Sequence, residues 1–201
     1  MLINPFFFQM GNTRGLYCTF DAFPFVDSYG NFTVNNTNVT QSSGTYAVFN
    51  GTSPQYLEFT GAETFNLQES VDIEVLLTDT LVAATNHTIF ELKGATSYLV
   101  AQITHTLSAY QVFLTGATGG NTDNYALTGS VGFGFSQTKT LRIVYDAVAG
   151  TLKTYINGVL DINQSGITPR INESRTMYLS TISYTSNQLS ADVDYFKVLI
   201  G

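Results

Sequence analysis

The chain has 201 residues, of which only 11% are charged, with eight Lys and Arg against fifteen Asp and Glu for a net charge of −7. Eight scattered cations form no basic stripe, which argues against nucleic acid as a partner and gives no support to binding an anionic membrane face, and no apolar run approaches the ~20 residues of a membrane-spanning helix. A lone cysteine, Cys18, excludes an intrachain disulfide scaffold.

The first fifteen residues are an apolar start, MLINPFFFQM, followed by GNTRG. They lack the basic start, long apolar run and small-residue cleavage site of a secretory leader. Pro5 disfavours a helix, and Gly11, Asn12 and Gly15 supply a joint. Leaving Phe6, Phe7 and Phe8 in water would forfeit roughly 1.5–3 kcal/mol each. Residues 1–15 are therefore expected to be an extended arm whose Phe6–Phe8 cluster is an interface, with residues 16–201 as one domain.

From residue 16 onward the period is two rather than 3.6. LYCTF (16–20) sets Leu16, Cys18 and Phe20 on one face, which makes Cys18 a small buried hydrophobe. YLEF (56–59) follows a Gly-Thr-Ser-Pro turn. VDIEVLL (71–77) opposes Val71, Ile73 and Val75 to Asp72 and Glu74. HTIFELK (87–93), SYLVAQI (97–103) and AYQVFL (109–114) continue the pattern. Residues 115–134 are rich in Gly and small polar side chains and predict a long loop interrupted by a short strand. TLRIVYDA (140–147) and TLKTYI (151–156) form a hairpin, and Asn157-Gly158 supplies a second tight turn. A loop over 166–174, then TMYLSTISY (176–184) and VDYFKVLI (193–200), complete the chain. Short β-branched and aromatic runs separated by turn residues predict an all-β, two-sheet antiparallel sandwich.

Five stretches, in order, carry a resemblance. LRIVYDAVAGTLKTYINGVLDINQSG resembles the central hairpin of concanavalin A-like and laminin-G-like jelly rolls. LYCTFDA…VDSYGN (16–31) is similar to their first strand and loop. YAVFNGTSPQYLEF (46–59), FNLQESVDIEVLLTD (65–79) and ADVDYFKVLIG (191–201) match later pieces. The resemblance covers residues 16–201 and implies a jelly roll. It departs from the family in having no Trp, a volume left to Tyr and Phe.

The family includes hydrolases, calcium-dependent domains, lectins and particle proteins. For hydrolysis, Asp72 and Glu74 share a face, but Glu69 is out of register for a retaining carboxylate pair, so no catalytic residue is expected. For calcium, the resemblance implies oxygen ligands from the first loop and last strand: Asp21 and Asp27, with Asp192 or Asp194. No metal or other cofactor is assigned on this basis. For a glycan, the candidates are Asn121, Asp123, Asn124 and Tyr125 in the long loop, with Tyr98 and Tyr110 if the sheet exposes them. Low charge, high Asn/Thr/Ser/Gly content, no disulfide and the apolar arm lead to a first expectation of a non-enzymatic virion protein. It would be a bacteriophage capsid decoration or tail-fibre component, assembled in the host cytoplasm as a homo-oligomer with other virion proteins. The alternative is a lectin-like module for cell-surface glycans, and a glycoside hydrolase comes third.

Overall fold

A computed structural model describes residues 14–42, 44–61, 63–80, 86–104, 109–116, 124–132, 136–168, 172–183 and 188–201. Among them the regular elements are fifteen strands, with no helix. These are β1 (Gly15–Thr19), β2 (Phe32–Thr37), β3 (Thr40–Ser42), β4 (Tyr46–Asn50) and β5 (Tyr56–Gly61). Then come β6 (Val71–Asp79), β7 (Asn86–Lys93), β8 (Ser97–Thr104), β9 (Ala109–Gly116) and β10 (Tyr125–Thr128). The last five are β11 (Thr138–Asp146), β12 (Thr151–Ile156), β13 (Val159–Ser165), β14 (Thr176–Leu179) and β15 (Ser190–Ile200).

They form two antiparallel sheets packed as a jelly-roll sandwich. The first runs β13-β12-β11-β6-β15-β4-β3, with β1 also on β15; the second runs β10-β9-β8-β7-β14-β5-β2. β15 is long enough to serve three partners. One side pairs with β6 from Ala191↔Asp79 to Ile200↔Val71, with a register shift between Val193 and Tyr195. On its other side Ser190–Val193 meet β4, and Tyr195–Leu199 meet β1. The register shift falls where the partner changes, as an extra residue re-aims a strand.

Alternation explains the layers. In β6 every odd residue from Val71 to Asp79 is buried and every even one is half-exposed. Phe196 of the first sheet meets Phe59 and Phe90 of the second at ring distances of 5.5 and 6.2 Å. Phe32 stacks on Phe65 at 5.0 Å. Cys18 is fully buried, as the alternation required, and burial pushes its thiol well up, away from the reactive thiolate.

The expected hairpin is present. Asn157 and Gly158 adopt φ of 49° and 78° between β12 and β13, the left-handed pair of a tight turn. The short strand expected inside the long loop is β10. The run expected over 176–184 is shorter. Ser180 has φ 71°, its N–H turns to the Ile89 carbonyl, and the strand stops at Leu179. The arm, including Phe6, Phe7 and Phe8, lies outside the described residues up to residue 13. Arg14 and Gly15 belong to the sandwich: Ile200 N–H donates to the Arg14 carbonyl, and Gly15 pairs with Leu199.

Candidate functional site

The outward side chains of the first sheet assemble one row across five strands. Register places Tyr17 beside Lys197, Lys197 beside Glu74, Glu74 beside Arg142 and Arg142 beside Tyr155. They share a face because each stands at an outward position of its own strand. The Arg142 guanidinium grips Asp72 at two points, Nε to Oδ1 at 2.8 Å and Nη2 to Oδ2 at 2.5 Å. It also lies over the Tyr155 ring, 5.8 Å from its centre. The hydrogen bond to Asp72 outweighs burial and holds Arg142 above its ordinary range, firmly charged. Tyr195 donates its hydroxyl to Glu74 Oε1 at 2.8 Å. Burial and that bond push the phenol up to about 12.

Beside this row lies an open pocket of about 190 Å³. Val144 and Leu199 are among its apolar lining, while Asp72, Arg142, Asp146 and Ser70 bring polar groups to it. It is smaller than the ~300–1,000 Å³ clefts of drug-sized ligands. An apolar patch with pre-oriented polar groups at its margin suits a small amphipathic ring. At the β1 end, Tyr29 packs on Tyr17 with ring centres 5.9 Å apart, and Tyr17 meets Tyr195 at 6.3 Å.

The carboxylates of the hydrolase test are all engaged. Glu69 precedes β6 and pairs with Arg14 at 3.0 Å; Asp72 is held by Arg142 and Glu74 accepts from Tyr195.

The expected calcium set does not gather. Asp27 takes backbone N–H donors at both oxygens, from Tyr17 and Tyr29 at Oδ1 and from Asn31 and Phe32 at Oδ2. Asp21 is exposed, Asp194 is exposed, and Asp192 is half-buried on the first sheet's outer face. Among the described residues no three acidic, His or Cys side chains converge as a metal site would need.

Of the glycan candidates, Asn121 and Asp123 lie outside the described residues. Asn124 is exposed. Tyr125 packs against the core and donates its hydroxyl to the Gly166 carbonyl at 3.0 Å. Tyr98 is half-exposed on the second sheet. Tyr110 is the clear correction: it is fully buried, with its hydroxyl bonded to Asp161 Oδ2 at 2.8 Å and to Thr154. Its position in β9 points it between the sheets, where it links them. Sequence reasoning missed Tyr17, Arg142, Tyr155 and Tyr195 as a group. The polar phase of the alternation marks each as outward, but only strand order makes them neighbours.

No protein-family model matches this chain, and no curated protein matches it either. Solved structures do resemble it. The binding domain of botulinum neurotoxin serotype D superposes with a TM-score of 0.71 at 15% identity, covering 94% of this chain and 48% of that one. A botulinum neurotoxin type C structure, from a toxin whose entering of cells depends upon interaction with two ganglioside molecules, gives 0.68 at 15% identity over 92% and 47%. The receptor-binding domain of type G gives 0.64 at 16% identity over 94% and 48%. This chain thus spans about half the length of the structures it resembles. At such identities the likeness establishes the two-sheet fold, and the neighbours that share it are binding domains rather than catalytic ones.

Proposed function

We propose that this chain is a non-catalytic, lectin-like binding module that takes a glycan on the outer face of its first sheet. The observation that carries this reading is the pocket beside the Asp72–Arg142 pair. A sugar ring presents C–H faces and a girdle of hydroxyls. Val144 and Leu199 suit the faces, and the ion pair and Asp146 suit the hydroxyls. Tyr155, outside the pocket lining but held under Arg142, supports the guanidinium and offers an aromatic face next to it. The ganglioside dependence stated for the type C neurotoxin supports a glycan as the ligand, without fixing its charge. The particle role first expected from composition gains no support from the structural neighbours, so the reading moves to the glycan alternative. Its cell-surface partners, its assembly state and any docking role for Phe6–Phe8 remain part of the proposal.

A glycan array probed with the purified chain and with Tyr155→Ala tests it. The expected result is retention of a defined set of glycans by the parent and at least a tenfold weaker signal from the variant at an unchanged melting temperature. No retained glycan, or equal retention by both proteins, counts against the reading.

A further inference from the structure

We infer that this face holds an extended run of a linear, neutral glycan laid across the strands, rather than a single terminal sugar. The inference rests on the glycan-binding reading and specifies its ligand.

The first observation is length. The row from Tyr17 on β1 through Lys197, Glu74 and Arg142 to Tyr155 on β12 crosses four strand-to-strand steps. At about 4.8 Å per step that is about 19 Å, several sugar rings end to end. Tyr29 extends it beyond Tyr17 by another ring contact of 5.9 Å. The pocket lies beside the row, and half-exposed tyrosines, Tyr17 and Tyr155, stand at the row's two ends.

The second observation is charge. The chain as a whole carries −7, yet on this face Lys197, Arg142 and Lys153 stand against Glu74, Asp72 and Asp146. The strongest cation, Arg142, already has a carboxylate bound at two points. Asp72 already balances that charge, so a sialic or uronic acid gains less from Arg142 than it would from an unpaired cation. A neutral sugar needs no counter-charge, and its hydroxyls can accept from guanidinium N–H donors that the two contacts to Asp72 leave over, since a guanidinium has five.

The third observation is relief. The Tyr17 ring is inclined by 40° to Tyr29 and by 65° to Tyr195. The surface is stepped, which fits a single twisted chain and not the flat face of a crystalline polysaccharide. Sugars with equatorial hydroxyls expose the C–H faces that such rings accept.

Calorimetric titration of the whole chain with neutral β-linked gluco- and xylo-oligosaccharides, from mono- to hexasaccharide, and with a sialylated trisaccharide, tests the inference. Affinity is expected to rise with each ring up to a tetra- or pentasaccharide and then level off. Tyr29→Ala and Tyr155→Ala, at opposite ends of the row, are each expected to weaken the hexasaccharide at least tenfold with melting temperatures unchanged. Tyr98→Ala on the other sheet is expected to have no effect. A mono- or disaccharide bound as tightly as the hexasaccharide overturns the extended site while leaving the glycan reading intact. Preference for the sialylated probe overturns the neutral ligand in the same way. If no saccharide of either kind binds, the glycan reading itself fails, and the extended site with it.

Discussion

Asp27 shows how a residue's chemistry is decided by what surrounds it. Its two oxygens close the loop between β1 and β2 by accepting from four backbone N–H groups. In sequence, an Asp in a turn reads equally well as a calcium ligand, because both roles need an anionic oxygen near a bend. Replacing Asp27 by Ala leaves those donors without their acceptor, so a loss of about 2–4 kcal/mol is expected from urea unfolding. A midpoint unchanged from the parent would show that the loop does not depend on the carboxylate. Asp161 makes a second case. Burial works to raise its pKa, but donors from Ser130, Tyr110 and the Ser130 and Val131 backbone prevail and hold it below its ordinary 3.8. A depressed carboxyl stabilises the fold above 3.8, and that contribution disappears as pH falls through the lower folded value. Asp161→Asn is therefore expected to be less stable than the parent near neutral pH, with the gap closing in acid below 3.8. A gap that stays constant across that range would disconnect the clamp from ionisation.

At the scale of elements, the hairpin from β11 to β13 is legible in advance because each local signal agrees. Thr138–Asp146 and Thr151–Ile156 alternate, and Asn157-Gly158 supplies the left-handed turn. β3, only three residues long, carries too little pattern to stand out. β14 ends early for a reason no propensity encodes: Ser180 turns so that Thr181 Oγ1 can donate to buried Glu91 at 2.7 Å, with Ser183 donating to the same carboxylate. The edge formed by β10 and β13 depends on Gly129. A Cβ there would overlap the Tyr110 ring and press on the Asp161 carboxylate. Gly129→Ala is expected to cost about 1–3 kcal/mol through overpacking, read as a lower unfolding midpoint. A midpoint equal to the parent's would mean the Tyr110 link between the sheets is looser than its buried geometry implies.

For the whole molecule, the governing fact is that pairing is non-local. β1 and β15 open and close the described chain yet lie side by side, Gly15 against Leu199. Loop closure must precede such contacts, so refolding in milliseconds to seconds or slower is expected by stopped-flow fluorescence of the tyrosines. Microsecond refolding would contradict a topology of this kind. The sequence by itself determined the all-β class, the inward positions of Leu16, Cys18, Val71, Ile73 and Val75, and the tight turn at Asn157-Gly158. These follow from period-two alternation and backbone sterics, which act between residues close in the chain. Only the tertiary structure decided that Tyr17, Lys197, Glu74, Arg142 and Tyr155 form one row, that Tyr110 is buried between the sheets, and that Asp27 serves the backbone. Each of those depends on which strands lie side by side, and strand order is set by burial summed over the whole core, a quantity that no local stretch contains.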